Sequence, residues 1–291
     1  MSGKTKREID SHTGVETTGH VWDGIKELDK PLPRWWLWTF YATIVWSIGY
    51  WIVYPAWPTH DGYTRGIWGY SQRAVVRSEG DAARAAQSGF RLGVERTSLA
   101  EIRRDEDLLR FAMAAGSAAF QTNCAACHGR GAQGFVGYPN LNDDDWLWGG
   151  SIEEIYKSIL HGIRSDHKDA HTSAMPRYGT DKLLTDIEIN AVADYVLALS
   201  DPKVDRKAVA VGARIFADQC ASCHGADGKG LKEQGSPNLT DGIWLYGGSK
   251  TQVVESIRTG RGGSMPGWAG RLDVVTLKSL AIYVHSLGGG K

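Results

Sequence analysis

No charge of either sign is in excess in this sequence: 33 Lys and Arg face 33 Asp and Glu, for a formal net charge of zero at pH 7. A general nucleic-acid binder carries a basic surplus, so no nucleic acid is expected as a partner. Cysteine is scarce, with four in 291 residues, and methionine equally so, with four. No P-loop, dinucleotide fingerprint or Ser/His/Asp set is present, so no independent catalytic centre is expected in this chain. Wholesale disorder is excluded by 42% apolar and 23% charged residues, close to globular averages. The length suits two domains with an appendage. Glycine, by contrast, is abundant at 36 residues, which fits a chain rich in loops and poor in long sheet.

Long uncharged runs are missing except one. From Trp35 to Tyr54 the chain reads WWLWTFYATIVWSIGYWIVY, and Trp and Tyr gather at both ends. A helix of that length spans about 30 Å, the thickness of a bilayer core, and aromatic rings favour its interfaces. A single transmembrane helix is therefore expected over 35–57, in contact with lipid. A cleavable signal is not expected, because the run starts late, is too long and lacks an A-x-A-like exit. Lys4, Lys6, Arg7, Lys26, Lys30 and Arg34 precede the run, which places the N-terminus in the cytoplasm by the positive-inside rule. Arg65, Arg73 and Arg77 beyond it weaken that signal.

All four cysteines lie in two motifs of one form, Cys124-Ala-Ala-Cys127-His128 and Cys220-Ala-Ser-Cys223-His224. C-x-x-C-H is the pattern of c-type haem attachment: two thiols add to the two vinyl groups of one porphyrin, and the adjacent imidazole sits under the iron. Two covalently attached haem c groups are expected. A redox dithiol gives no reason for the histidines, and the pairs are too far apart for one zinc site. The motifs belong to a longer repeat. GSAAFQTNCAACHG (116–129) matches GARIFADQCASCHG (212–225), PNLNDDDWLWGGS (139–151) matches PNLTDGIWLYGGS (237–249), and ADYVLAL (193–199) matches AIYVHSL (281–287). Each copy is expected to begin with a helix ending near Phe120 or Phe216. Each closes with an amphipathic helix, striped by Ile189, Val192, Val196 and Leu199 or by Leu277, Leu280, Val284 and Leu287. Thr185 and Glu188 form a capping-box pattern at the first of these.

Met175 and Met265 are the repeat-equivalent methionines, each followed by proline, and are the candidate distal iron ligands opposite His128 and His224. The metal ligands are thus expected to be His128, Met175, His224 and Met265. Whether each methionine serves its own copy or the other is open at this level. Met113 reads as core. His161, His167 and His171, in the longer loop of the first copy, are rival ligands; His12, His20, His60 and His285 have no assigned role. The carbonyls of Pro139 and Pro237 are expected to accept the ring N–H of His128 and His224. Trp146, Trp148, Trp244 and Tyr246 are candidates for packing at the haem edges, and Arg177, Arg261 and Arg271 for pairing with propionates. His/Met ligation raises a haem's potential and closes the iron, leaving outer-sphere electron transfer as its chemistry.

The paired motifs, PNL segments, Met-Pro pairs and closing helices resemble class I cytochrome c domains. The segment TGHVWDGIKELDKPLPRWW (18–36), ahead of one Trp-rich span and two such domains, resembles the CcoP/FixP family, the dihaem subunit of cbb3-type cytochrome c oxidases. The implied fold is mainly α: an N-terminal transmembrane helix followed by two tandem class I cytochrome c domains. The expected division is a cytoplasmic segment 1–34, the span 35–57, a periplasmic linker or helical region 58–106, and domains at 107–200 and 205–288. The resemblance implies a bacterial inner-membrane location with periplasmic haems. It also implies electrons taken from a donor cytochrome c and passed through a monohaem cytochrome c subunit to the haem–copper catalytic subunit. The rival readings are a free-standing dihaem shuttle, a haem sensor, and the cytochrome subunit of a periplasmic dehydrogenase.

Overall fold

A computed structural model describes residues 7–201 and 209–288. Lys4 and Lys6 of the basic N-terminal set, and the start of the expected 205–288 domain, lie outside the described residues. The chain forms two units, 1–85 and 86–291.

In the first unit, β1 (Thr17–Trp22) and β2 (Ile25–Leu28) pair as an antiparallel hairpin. Its two-residue turn is Asp23-Gly24, and both have positive φ, 51° and 84°. Asp-Gly tolerates that conformation, which matches strand twist. Helix α1 runs over Arg34–Val53, directly after Pro33, and ends where Pro55 removes a donor. None of its residues is buried. Trp35, Trp38, Val45 and Trp46 are among its exposed side chains. The helix is shorter than the expected 35–57 span. Among the described residues no helix is long and apolar enough to cross a membrane. The aromatic residues that fill α1 carry polar N–H and O–H groups, which lower its mean hydropathy below that of an aliphatic helix. A short hairpin of β3 (Pro58–Thr59) and β4 (Gly62–Tyr63) and helix α2 (Gln72–Ala86) follow.

The second unit is helical: α3 (Ser88–Arg96), α4 (Leu99–Ile102), α5 (Glu106–Asn123), α6 (Ala125–His128), α7 (Ile152–His161), α8 (Asp186–Ser200), α9 (Ala210–Gln219), α10 (Ala221–His224), α11 (Lys250–Thr259) and α12 (Val274–Leu287). Side-chain caps start most of the longer ones. Ser151 with Glu154, Thr185 with Glu188 and Ser249 with Gln252 form capping boxes, while Asp105 and Asp273 cap α5 and α12. The expected stripes face inward: Ile189, Val192 and Val196 on α8, and Leu277, Leu280 and Val284 on α12, are buried.

The helices pack in a different order from the sequence repeat. Helix α5 packs on α12, and α9 packs on α8. Helix α12 also packs on α7, and α11 on α8. Two cores result. One gathers Ala112 and Phe120 of α5, Ile152, Ile155 and Ile159 of α7, and Leu280, Ala281 and Val284 of α12. The other gathers Ile189, Val192 and Val196 of α8, Phe216 of α9, and Val253 and Ile257 of α11. Each core draws on residues from both expected ranges, 107–200 and 205–288. The second lobe is one stretch, from Met175 to α11, inserted between the two parts of the first. The region expected as linker also joins the first lobe. Val94, Leu99 and Ile102 belong to its core, and Lys278 Nζ of α12 donates to the carbonyls of Val94, Glu95 and Thr97 at 2.7–3.0 Å.

The two helix crossings are built alike. A Cβ at Gly116 of α5 would collide with the Ser279 carbonyl of α12, and one at Gly212 of α9 with the Ala191 carbonyl of α8. Phe120 meets Tyr283 at 5.5 Å between ring centroids, and Phe216 meets Tyr195 at 5.2 Å. The crossing needs backbone-to-backbone approach, which only glycine permits.

Candidate functional site

Each C-x-x-C-H motif occupies one helical turn. The amides of Cys127 and His128 bond to the Cys124 carbonyl at 3.1 and 3.0 Å, and those of Cys223 and His224 repeat this with Cys220. Residues at i, i+3 and i+4 of a turn share a face, so each pair of thiols and its imidazole point the same way. Burial, reinforced by the neighbouring cysteine, pushes the Cys124 and Cys220 thiols up to about 11, so both are neutral thiols in the free chain.

His128 Nδ1 lies 3.1 Å from the Pro139 carbonyl, and His224 Nδ1 lies 3.3 Å from that of Pro237. A carbonyl only accepts, so each Nδ1 carries the ring proton and each Nε2 keeps its lone pair. Burial pulls the pKa of both imidazoles below the usual value, against the raising effect of these hydrogen bonds. Both rings are therefore neutral nitrogen bases held in one tautomer, the form a metal ligand requires.

The methionine loops cross between the copies. Gly162 ends α7 at φ 77°, and Gly260 ends α11 at φ 63°. A Cβ at Gly162 would collide with the Met265 carbonyl, and one at Gly260 with that of Met175. Ile163 and Met265 exchange both backbone hydrogen bonds at 2.9 Å. The amides of Trp268 and Ala269 donate to Ile159 and Leu160 of α7, each at 3.0 Å. Those of Tyr178 and Gly179 donate to Ile257 and Arg258 of α11 at 3.2 and 3.1 Å. Met265 thus packs in the core that holds Cys124, and Met175 in the core that holds Cys220. Tyr178, which no motif marks, adds a further tie, its hydroxyl donating to the Gln219 carbonyl at 2.5 Å.

A single cavity of about 990 Å³ is lined by all eight residues: Cys124, Cys127, His128, Met175, Cys220, Cys223, His224 and Met265. That is the upper end of the usual range for small-molecule sites. Trp148, Trp244, Tyr246 and Arg261 also line it, as does Arg164, which the sequence did not single out. Trp146 lies in the first core; its indole N–H is buried with no hydrogen-bond partner among the described residues. Arg177 instead pairs with Asp181 at 3.0 Å, and Arg271 lies over Trp268. Neither borders the cavity, because each is held on its own local partner.

The three rival histidines are also absent from the cavity wall. His171 stacks on Trp148 at 4.1 Å and meets Ser158 at 3.3 Å. His161, His167 and Asp169 bring ligand atoms within 4.8 Å of one another. However, His167 Nδ1 accepts the Asp169 amide, which puts its ring proton on Nε2 and leaves it no free lone pair.

Neutral imidazoles, thioether sulfurs and paired thiols around one large cavity together fit haem c. The thiols suit covalent attachment, and the imidazole and thioether suit iron.

Known proteins agree. Residues 14–61 match a family described as the N-terminal domain of cytochrome oxidase-cbb3, FixP. Residues 111–196 and 207–284 match one described as cytochrome C oxidase, cbb3-type, subunit III. The chain is 53% identical over 285 residues to the cbb3-type cytochrome c oxidase subunit FixP of Bradyrhizobium sp. (strain ORS 278), covering 98% of each. It is 53% identical over 276 residues to subunit CcoP of Cereibacter sphaeroides, covering 94% of this chain and 95% of that one. With FixP of Rhizobium meliloti it shares 49% over 292 residues, the whole of both. A cytochrome c family implies haem c, and the donors found here suit that group. Two thiol–imidazole turns and two methionines around one cavity, in a chain that matches its relatives from end to end, place it in the FixP/CcoP family, subunit III of cbb3-type cytochrome c oxidases.

Proposed function

We propose that this chain carries two haem c groups and relays electrons from a donor cytochrome c, through a monohaem cytochrome c subunit, to the haem–copper subunit of a cbb3-type oxidase. The observation that carries this reading is the single cavity on which both C-x-x-C-H turns and both Met-Pro loops converge. Haem c supplies a one-electron iron couple when bound. Cys124 and Cys127 hold one haem through thioethers, and Cys220 and Cys223 hold the other. His128 and His224 offer Nε2 to the irons, and the Nδ1–H bonds to Pro139 and Pro237 fix each ring and raise its basicity. Met265 serves the haem of His128, and Met175 that of His224, because each methionine packs in the core of the other copy's Cys motif. Thioether donors at Met175 and Met265 would raise the potential of the couple, and the protein's part is then electron transfer.

Helix α1 serves as the single membrane anchor in this reading, with the N-terminal hairpin in the cytoplasm and the haem lobes in the periplasm of a bacterial inner membrane. The support is its charge-free run from Trp35 to Tyr54, its lack of any buried residue and its aromatic ends. Aromatic rings are favoured at the lipid interface even where mean hydropathy is modest. Purification from detergent-extracted membranes tests the assignment. Co-elution with haem b and copper, and two haem c per chain by pyridine haemochrome, is the expected result. A lone dihaem species would favour the free shuttle. Carbon monoxide binding at both irons of the reduced protein would favour a sensor.

A second measurement tests the crossed ligands. In a chain whose only haem is at Cys124 and Cys127, made by Cys220→Ala and Cys223→Ala, Met265→His is expected to lower the potential and Met175→His to leave it unchanged. The reverse pattern would assign each methionine to its own copy.

A further inference from the structure

Arg164 occupies a place that neither the motifs nor the family resemblance mark. It lies two residues after Gly162, which ends α7, and sits at φ 48°, a conformation that is costly for a residue with a side chain. Its amide donates to the His171 carbonyl at 2.6 Å. Its guanidinium reaches both methionine loops. Nε donates to the Gly263 carbonyl and Nη1 to the Ser173 carbonyl, each at 2.6 Å. Those carbonyls are repeat equivalents, two residues before Met265 and two before Met175. One side chain therefore binds the same point of both loops.

The repeat explains why there is only one such residue. Gly162 and Gly260 are equivalent helix ends, so the counterpart of Arg164 is Gly262. A Cβ on Gly262 would lie 3.4 Å from Arg164 Nε. The position of that missing side chain is thus in van der Waals contact with the one guanidinium that lies between the two loops. Arg164 lines the cavity and forms no ion pair among the described residues. A partly buried cation without a protein anion is an unbalanced charge, and its planar fork suits two fixed acceptors better than an ammonium does.

We propose that Arg164 is a positioning residue shared by both iron sites, one guanidinium that clamps the Met175 and Met265 loops together so that the two thioethers are held or released as a pair. This rests on the reading that both methionines ligate iron. Hydrogen bonds from a charged donor to carbonyls are stronger than neutral ones, so losing both loosens both loops. The effect falls on two haems although Arg164 belongs to the first copy alone.

The test uses the full chain carrying its own two haems, separated from the other oxidase subunits, with Arg164→Ala and Arg164→Lys. The readout is the near-infrared iron–sulfur charge-transfer band of the ferric protein, titrated with imidazole as a competing ligand. In the wild type the band reports methionine ligation, and its absence would overturn the ligand reading itself. With the band present, Arg164→Ala is expected to raise imidazole affinity at least tenfold, about 1.4 kcal/mol, with the whole band lost in one phase. Arg164→Lys keeps the charge but not the fork, and is expected to give a smaller shift that still covers the whole band. If Arg164→Ala fails to assemble, the Lys variant decides. Wild-type sensitivity in the variant read, or loss of only half the band at low imidazole, would overturn the shared clamp.

Discussion

Asp145 shows how one residue's surroundings set a pH response. Its side chain is half-buried, and burial followed by the negative charges of Asp241 and Asp143 pushes its pKa up to about 6. The unfolded chain releases that proton near the ordinary value of about 4. Between those two values the folded protein binds more protons than the unfolded one, so stability falls as pH rises through that window and stays lower above it. Asp145→Asn removes the penalty. It is expected to raise Tm by a few degrees at pH 7.5 and to change it little at pH 4, measured by calorimetry on the haem-loaded protein. An equal shift at both pH values would refute the charge-based account. The two motif histidines, His128 and His224, obey the same rule with the opposite sign of shift. There the Pro139 and Pro237 carbonyls fix the tautomer, and burial keeps the rings neutral.

At the scale of elements, the helix crossings are the sensitive joints. Gly116 and Gly212 stand where α5 meets α12 and where α9 meets α8, each against a carbonyl of the partner helix. A methyl group there must push two backbones apart, and overpacking of this kind costs about 1–3 kcal/mol. Gly116→Ala and Gly212→Ala are each expected to lower the unfolding midpoint in denaturant. Gly89→Ala, on α3 with open space around it, is expected to be neutral or slightly stabilising. The loops obey the same rule at the ends of α7 and α11. Gly162 and Gly260 combine positive φ with contact to a methionine carbonyl, so a side chain there meets both strain and a collision.

The whole molecule is organised by an insertion, with the second lobe placed inside the first. A contiguous piece, 173–260, holds Met175, α8, α9, the second Cys motif and α11, and so contains every element of one core. The piece 107–200 holds the first Cys motif but lacks Met265 and α12. Exported with a suitable signal, 173–260 is expected to retain one covalent haem and the iron–sulfur band, and 107–200 to lose the band and fold poorly. Haem staining with mass spectrometry, and ferric near-infrared spectra, provide the check. A well-folded, methionine-ligated 107–200 would restore the division into two self-contained domains. Deleting 35–54 is expected to move the haem protein from the membrane to the soluble fraction, and the fractionation of the deleted chain measures it.

The chemistry was written in the chain. Thiol spacing, the adjacent imidazole and the proline carbonyl 11 or 13 residues later are local features, and a single helical turn with its following loop brings them together. Helix caps and buried stripes were legible for the same reason, since 3.6-residue periodicity is a property of one segment at a time. What no segment carries is the identity of its partner. The two copies present nearly the same surfaces, with glycine and phenylalanine on α5 and α9 and tyrosine on α8 and α12, so either pairing satisfies the pattern. Arg164 was hidden likewise. In sequence it is one arginine in a loop, and only folding sets it between Ser173 and Gly263. The sequence by itself determined that this protein carries two cysteine–histidine turns of the c-type haem pattern and belongs to the oxidase subunit family. The tertiary structure alone decided which helices share a core and which methionine packs with which cysteine motif, because two almost identical interfaces are told apart by the path of the connecting chain and not by the residues that line them.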